Sequence, residues 1–415
     1  MSEEERDLPI VIVGHVDHGK STLIGRLLYD TGCLPPDKFS EIERSSEMLG
    51  RRVEYAFAMD CLEEERSRGI TIDTTQTFFR TKKRRYVIID APGHKEFLKN
   101  MITGSSQAEA ALIVIDALEG IRDQTKRHAY ILGMLGLKQI CVLLNKIDLI
   151  QYSEKKFSEL KESVKGFLEA IHIRPTYILP ISAITGENVA APSIKIPWFN
   201  GLTVLEALDT FEPLKVEEKP LRFPFQDVYR TDGKEIIVGR VEAGHLTKGG
   251  SFFLLPEKKN VIVKSIEKFL SPNLTDAGYG ESVGICLNGK HRIRRGQVLA
   301  GDLSSLISDR IRSNVIWMSP IPYQLGDPLL FRCATQELPC RIEKIYEKFD
   351  PASMELIEEA PSSIADAQVA NVLIRLGKEG VMDFFDNIPE MGRFVLEKDG
   401  RPVAGGIILE EQIAQ

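Results

Sequence analysis

The eight residues Gly14-His15-Val16-Asp17-His18-Gly19-Lys20-Ser21 fit the pattern of a phosphate-cradling loop, and the apolar run Ile10-Val11-Ile12-Val13 before them reads as the strand such a loop must follow. From Ser21 to Tyr29 the spacing is helical, so strand, glycine turn and helix are predicted in succession. The glycines let the backbone fold round phosphates with its N–H groups pointing inward, and the helix N-terminus adds its own positive end. In this arrangement Lys20 reaches the β- and γ-phosphates and Ser21 offers a hydroxyl to Mg²⁺, with Thr22 completing the loop that cradles a nucleoside triphosphate.

The base is specified further along. Asn145-Lys146-Ile147-Asp148 follows the apolar run Ile140 to Leu144, a buried strand whose C-terminal end faces a ligand. A carboxylate at Asp148 can accept hydrogen bonds from N1–H and the exocyclic amino group of guanine, and adenine offers neither in that arrangement, so GTP and GDP are the expected nucleotides. Ser182-Ala183-Ile184, after the apolar run Tyr177 to Ile181, is expected to complete the base pocket; taken alone it is an ordinary loop. Between these motifs lies Asp90-Ala91-Pro92-Gly93-His94, at the end of Tyr86-Val87-Ile88-Ile89. Asp90 is placed to reach Mg²⁺ through a water, and the N–H of Gly93 to sense the γ-phosphate, so this loop is expected to change shape when that phosphate leaves. Upstream, Thr71 in Arg68-Gly69-Ile70-Thr71-Ile72 is either a second ligand to Mg²⁺ or a plain strand threonine. His15 and His18 do not read as a zinc site, because no Cys-x-x-Cys or further ligand spacing accompanies them.

Organisation along the chain predicts three parts. Residues 7–212 alternate apolar strand-like runs with helical segments such as Ser153 to Ile171, which means a doubly wound, mostly parallel α/β sheet. A charged, proline-bounded linker from Glu212 to Pro220 follows. Beyond it the helical pattern vanishes, and short strands broken by glycine pairs predict one β-barrel over 219–305 and a second over 306–415, with strands from about Ser313. Six cysteines at irregular spacing form no disulfide framework, Cys141 falls in a core strand, and no leader or apolar stretch of about 18 residues is visible; a reducing cytoplasm and no membrane are expected.

The runs from Tyr55 to Thr71 and from Asp90 to Thr103 resemble the switch regions of the elongation factor Tu and elongation factor 1-alpha class of GTPases, and the resemblance covers nearly the whole chain. It implies that His94 orients the attacking water, that Val16 and Ile70 form an apolar gate before it, and that Asp17 positions ions and waters near the phosphates. Phosphoryl transfer to water needs positioning and charge stabilisation more than covalent chemistry, so this division of labour is physically sensible. A surface histidine capping the next helix is the other reading of His94, and loop stabilisation the other reading of Asp17.

Two subfamilies then compete, and the marks in the last barrel favour the first. Val315-Ile316-Trp317-Met318, Gly326-Asp327-Pro328, Ile342-Glu343-Lys344-Ile345 and Phe349 to Glu355 are similar to the GTPase subunit of heterodimeric sulfate adenylyltransferase. That likeness implies a separate catalytic subunit that joins ATP and sulfate into adenylyl sulfate, with GTP hydrolysis here helping to drive the step. The alternative is a translation GTPase that delivers aminoacyl-tRNA, to which the His15 and His18 spelling of the loop is closer. From Leu306 to Gln415 there are 11 Lys plus Arg against 18 Asp plus Glu, a net of −7, whereas an RNA-binding face normally shows basic excess; nucleic acid is therefore not expected.

Overall fold

A computed structural model describes residues 7–34, 76–90, 108–134, 136–171, 173–212, 219–231, 234–268, 274–350 and 356–410. Thr71, Gly93 and His94, both switch-like runs apart from Asp90, and most of the Phe349 to Glu355 stretch lie outside these residues. The chain divides after Leu214 into two compact units.

The first unit is a six-stranded sheet. Its strands are β1 (Leu8–Gly14), β2 (Gln76–Arg80), β3 (Arg85–Asp90), β4 (Ala110–Asp116), β5 (Gln139–Asn145) and β6 (Tyr177–Pro180), arranged β2-β3-β1-β4-β5-β6. All pairings are parallel except β2 against β3 at the edge. Strands covered on both faces read as continuous apolar runs, and every residue of β4 is buried. Helices α1 (Lys20–Asp30), α2 (Asp123–Met134), α3 (Glu154–Ala170) and α4 (Val204–Thr210) are the long helical elements among the described residues. Ser153 caps α3 by accepting from the Lys156 N–H, and Thr203 with Glu206 makes a reciprocal capping box on α4. The parallel order puts the C-terminal ends of β1, β3, β4 and β5 along one edge, where Gly14, Asp90, Asp116 and Asn145 each close a strand.

The second unit holds two closed β-structures. Six antiparallel strands form the first barrel, in ring order Ser251–Leu255, Lys259–Glu267, Ser282–Leu287, Lys234–Arg240, Arg222–Thr231 and Val298–Ala300. The second runs Leu329–Cys333, Arg393–Lys398, Arg401–Ile408, Leu306–Trp317, Val369–Met382 and Gln336–Phe349, and pairing of the last with the first closes the ring; Leu356–Glu359 adds to its outside. Its opening strand begins at Leu306, upstream of Ser313, and one helical turn, Pro389–Gly392, interrupts a region expected to be free of helix; Pro389 at its N-terminus presets the backbone. Arg222, wholly buried, ties the barrels together through a two-bond fork on Asp383, at 2.9 and 3.0 Å. A charge that deep is tolerated only because it is paired and hydrogen-bonded.

The residues that carry the sulfate adenylyltransferase likeness have packing work in this barrel. Trp317 is 1% exposed and donates its Nε1–H to the Ile321 carbonyl at 2.8 Å. Met318, Ile342 and Ile345 are buried, and Gly326 makes a turn at φ +93°.

Candidate guanine-nucleotide site

β1 delivers the chain to Gly14, whose φ is +154° and whose position leaves no room for a side chain: a Cβ would lie 2.3 Å from the Val114 carbonyl oxygen. Asp17 (φ +63°) and Gly19 (φ +90°) turn the loop back into α1, and a Cβ on Gly19 would lie 2.4 Å from Asn145 Nδ2. The first turn of α1 holds Lys20, exposed Ser21 and half-buried Thr22, and carries no acidic residue to oppose an anion. Lys20 Nζ arches over the loop and donates to the carbonyls of Gly14 (2.9 Å) and His15 (2.8 Å).

The loop tip is fastened from α2. His15 Nδ1–H donates to Gln124 Oε1 at 2.8 Å, and the Val16 N–H points to the same oxygen at 3.4 Å, which leaves the Val16 side chain 59% exposed. His18 has no exposed surface; its Nδ1 lies 3.3 Å from the Val114 carbonyl and its Nε2 lies 3.7 Å from Glu119. Burial pushes its imidazole below the ordinary histidine value, which keeps the ring neutral with the proton on Nδ1. The two histidines thus hold the loop in shape through α2 and β4.

On the base side, Asn145 is a clasp. Its Nδ2 donates to the His18 carbonyl and its Oδ1 accepts from the Ala183 N–H, both at 2.9 Å, so one buried side chain joins the phosphate loop to the loop after β6. The next residue, Lys146 (φ +61°), extends to Asp116 with Nζ 2.7 Å from Oδ2. Burial works to raise the Asp116 carboxyl, but hydrogen bonds from Lys146 and from the Leu118 and Glu119 N–H groups outweigh it and hold the group ionised below its ordinary value. Two residues on, Asp148 carries a buried Oδ1 with no hydrogen-bond partner among the described residues. A buried carboxylate oxygen without a hydrogen bond is costly, and the guanine edge carries N–H groups of the kind that it lacks. Ser182 is wholly buried and uses its hydroxyl on the Thr185 N–H in its own loop, Ala183 contributes its backbone, and Ile184 is 42% exposed.

The structure therefore brings Gly14 through Thr22, Asn145, Lys146, Asp148 and Ser182 through Ile184 to one edge of the sheet, with the Asp90 backbone at the end of β3. Two residues that pattern reading passed over belong here as well. Asp116 ends its apolar strand as Asn145 and Asp90 end theirs, in register with Asn145; that parallel was the available signal. Gln124 carried none, since only the tertiary fold sets it against the loop.

Residues 5–214 match the family model for the elongation factor Tu GTP binding domain, and residues 310–409 match that for the GTP-eEF1A C-terminal domain-like family. The elongation factor 1-alpha of Pyrococcus furiosus is 40% identical over 99% of this chain and 99% of its own length. That of Thermococcus kodakarensis is 41% identical over the whole of both. Among solved structures, sup35 complexed with GDP aligns with 98% of this chain and 94% of that one at 24% identity and a TM-score of 0.45, too distant to bear on function. With the clasped base pocket, the glycine-turned phosphate loop and similarity along its full length, the chain belongs to the elongation factor Tu and elongation factor 1-alpha family of GTP-binding GTPases.

Proposed function

We propose that the chain is a GTP-hydrolysing switch of the elongation factor 1-alpha type, whose GTP form carries aminoacyl-tRNA. The observation that supports it most is the Asn145 clasp beside the unpartnered Asp148 oxygen, which together suit a guanine base whose phosphates lie on the Gly14 to Ser21 loop. Similarity to proteins named elongation factor 1-alpha favours the translation reading over the sulfate adenylyltransferase reading.

In the proposed mechanism Asp148 selects guanine, Lys146 is held extended by Asp116 beside it, and Asn145 keeps base and phosphate loops at a fixed separation. The loop N–H groups and Lys20 orient the β- and γ-phosphates. Ser21, Thr71 and Asp90 offer the hard oxygen donors suited to Mg²⁺, which when bound neutralises charge on the phosphate oxygens. Gly93 senses the γ-phosphate and His94 positions the water, with Val16 and Ile70 screening it and Asp17 ordering the surrounding ions and waters; Val16 already projects from the loop tip.

Filter retention of aminoacyl-tRNA by the GTP-loaded and GDP-loaded protein tests the partner. Retention with GTP and release with GDP is the expected result, since a ligand with equal affinity for both states could not be switched. No retention, together with co-purification of a sulfate adenylyltransferase catalytic subunit whose adenylyl sulfate yield rises with GTP, would replace this reading with the other.

A further inference from the structure

The last barrel is acidic in sum, yet three of its cations stand together. Arg310, Arg375 and Arg341 stand in one register row across three adjacent strands, because Arg310 pairs with Arg375 and Arg375 pairs with Arg341. Strands lie about 4.8 Å apart, so three guanidinium stems share one narrow band of the outer face. Like charges directly opposite each other destabilise a sheet. Among the described residues Glu343 is the carboxylate that pairs with them, 3.1 Å from Arg310 and 3.6 Å from Arg375. The exposed Arg341 guanidinium makes no hydrogen bond or ion pair among the described residues.

The row borders a cavity of about 430 Å³ lined by Asp309, Gly326, Pro328, Arg341, Arg375 and Gly377. Its origin is an irregularity in the ladder. Between the pairs Ser308–Gly380 and Arg310–Arg375, Asp309 alone faces the four residues Leu376 to Glu379, so the strands part and Asp309 leaves the ladder. Irregularities of this kind open a ladder locally and are over-represented at barrel rims and beside functional sites. The volume lies within the roughly 300–1,000 Å³ of small-molecule sites. Two adjacent guanidinium groups match the oxygens of a phosphate, and the nearby Asp309 carboxylate repels a second anionic group but accepts from a hydroxyl.

We propose that this cavity binds a small phosphate monoester, with its phosphate between Arg341 and Arg375 and a hydroxyl of its carbon skeleton donating to Asp309. The site is separate from the nucleotide loop and does not depend on the translation reading. It is tested by isothermal titration of the full chain, saturated with GDP and Mg²⁺ so that the loop is occupied, using glycerol 3-phosphate and, in a second arm, inorganic phosphate. Saturable binding of glycerol 3-phosphate is expected, weakened at least tenfold by Arg341→Ala with GDP affinity unchanged, and inorganic phosphate should bind more weakly. Arg341→Lys, which keeps the charge and loses the fork, should fall between. Absent heats, or heats equal in the parent and Arg341→Ala, would overturn the proposal. Arg341-dependent binding of a short RNA duplex without any binding of glycerol 3-phosphate would also overturn it, and would make the row a polymer-binding face. Inorganic phosphate binding as tightly as the monoester would remove Asp309 from the site.

Discussion

At the base end of the nucleotide site, Asn145, Asp116 and Lys146 are buried or half-buried and tied to one another's loops by bonds of 2.7 to 2.9 Å, whereas at the phosphate end Val16 stands 59% exposed on a tip pinned by Gln124. The base end is fastened loop to loop, and the phosphate end, though pinned at its tip, sets an apolar side chain in the open. A switch needs that asymmetry: the base is common to GTP and GDP, so the contacts that hold it need not move, while the γ-phosphate must be sensed by groups that do.

Substitutions can break this comparison at either end. Asp148→Asn should weaken GTP binding by about 10³-fold and turn preference toward xanthosine triphosphate, because an amide donates where the carboxylate accepts. Equilibrium titration with both nucleotides decides it, and undiminished GTP affinity would remove Asp148 from the base pocket. His94→Ala should slow hydrolysis by roughly 10²-fold or more while leaving GTP and Mg²⁺ binding nearly intact, as expected for a group that positions water. An unchanged single-turnover rate would pass that role to Asp17.

Asn145→Ala probes the bridge between the two ends. It leaves the His18 carbonyl and the Ala183 N–H unpaired at a cost of about 1–3 kcal/mol, so GTP affinity should drop by roughly ten- to a hundredfold and GDP affinity equally. A loss confined to GTP would show that the clasp belongs to the switching end instead. The smallest effect concerns pH. His18 has its folded value pushed below 6.5 by burial, so the unfolded chain takes up its proton first as pH falls. Stability from this group is complete above that value and declines as pH drops below it. Thermal unfolding followed from pH 7.5 to 5.5 should show a steeper loss for the parent than for His18→Gln, and identical slopes would mean that another group sets the acid limb.

Much of the site was legible because its motifs are local. Gly14 and Gly19 are demanded by backbone geometry within one loop, and Ser153 and Thr203 announce their helices by side chains that cap them. The subfamily marks were less secure for a physical reason. Trp317, Ile342 and Ile345 fill a barrel core, and any chain closing a similar barrel has use for such residues.

Charge was the least legible property. A count over residues 306–415 gives −7 and argued against nucleic acid, but counting ignores position. The sequence by itself determined the order of strand, loop and helix, the glycine-turned loop and the place of Asp148 just past its strand, because each depends on neighbours a few residues away. Only the tertiary structure decided that Asp116 meets Lys146, that Asn145 joins two loops, and that Arg310, Arg375 and Arg341 line up: these contacts follow from which strands pair and in what register, and register is fixed by burial across the whole sheet.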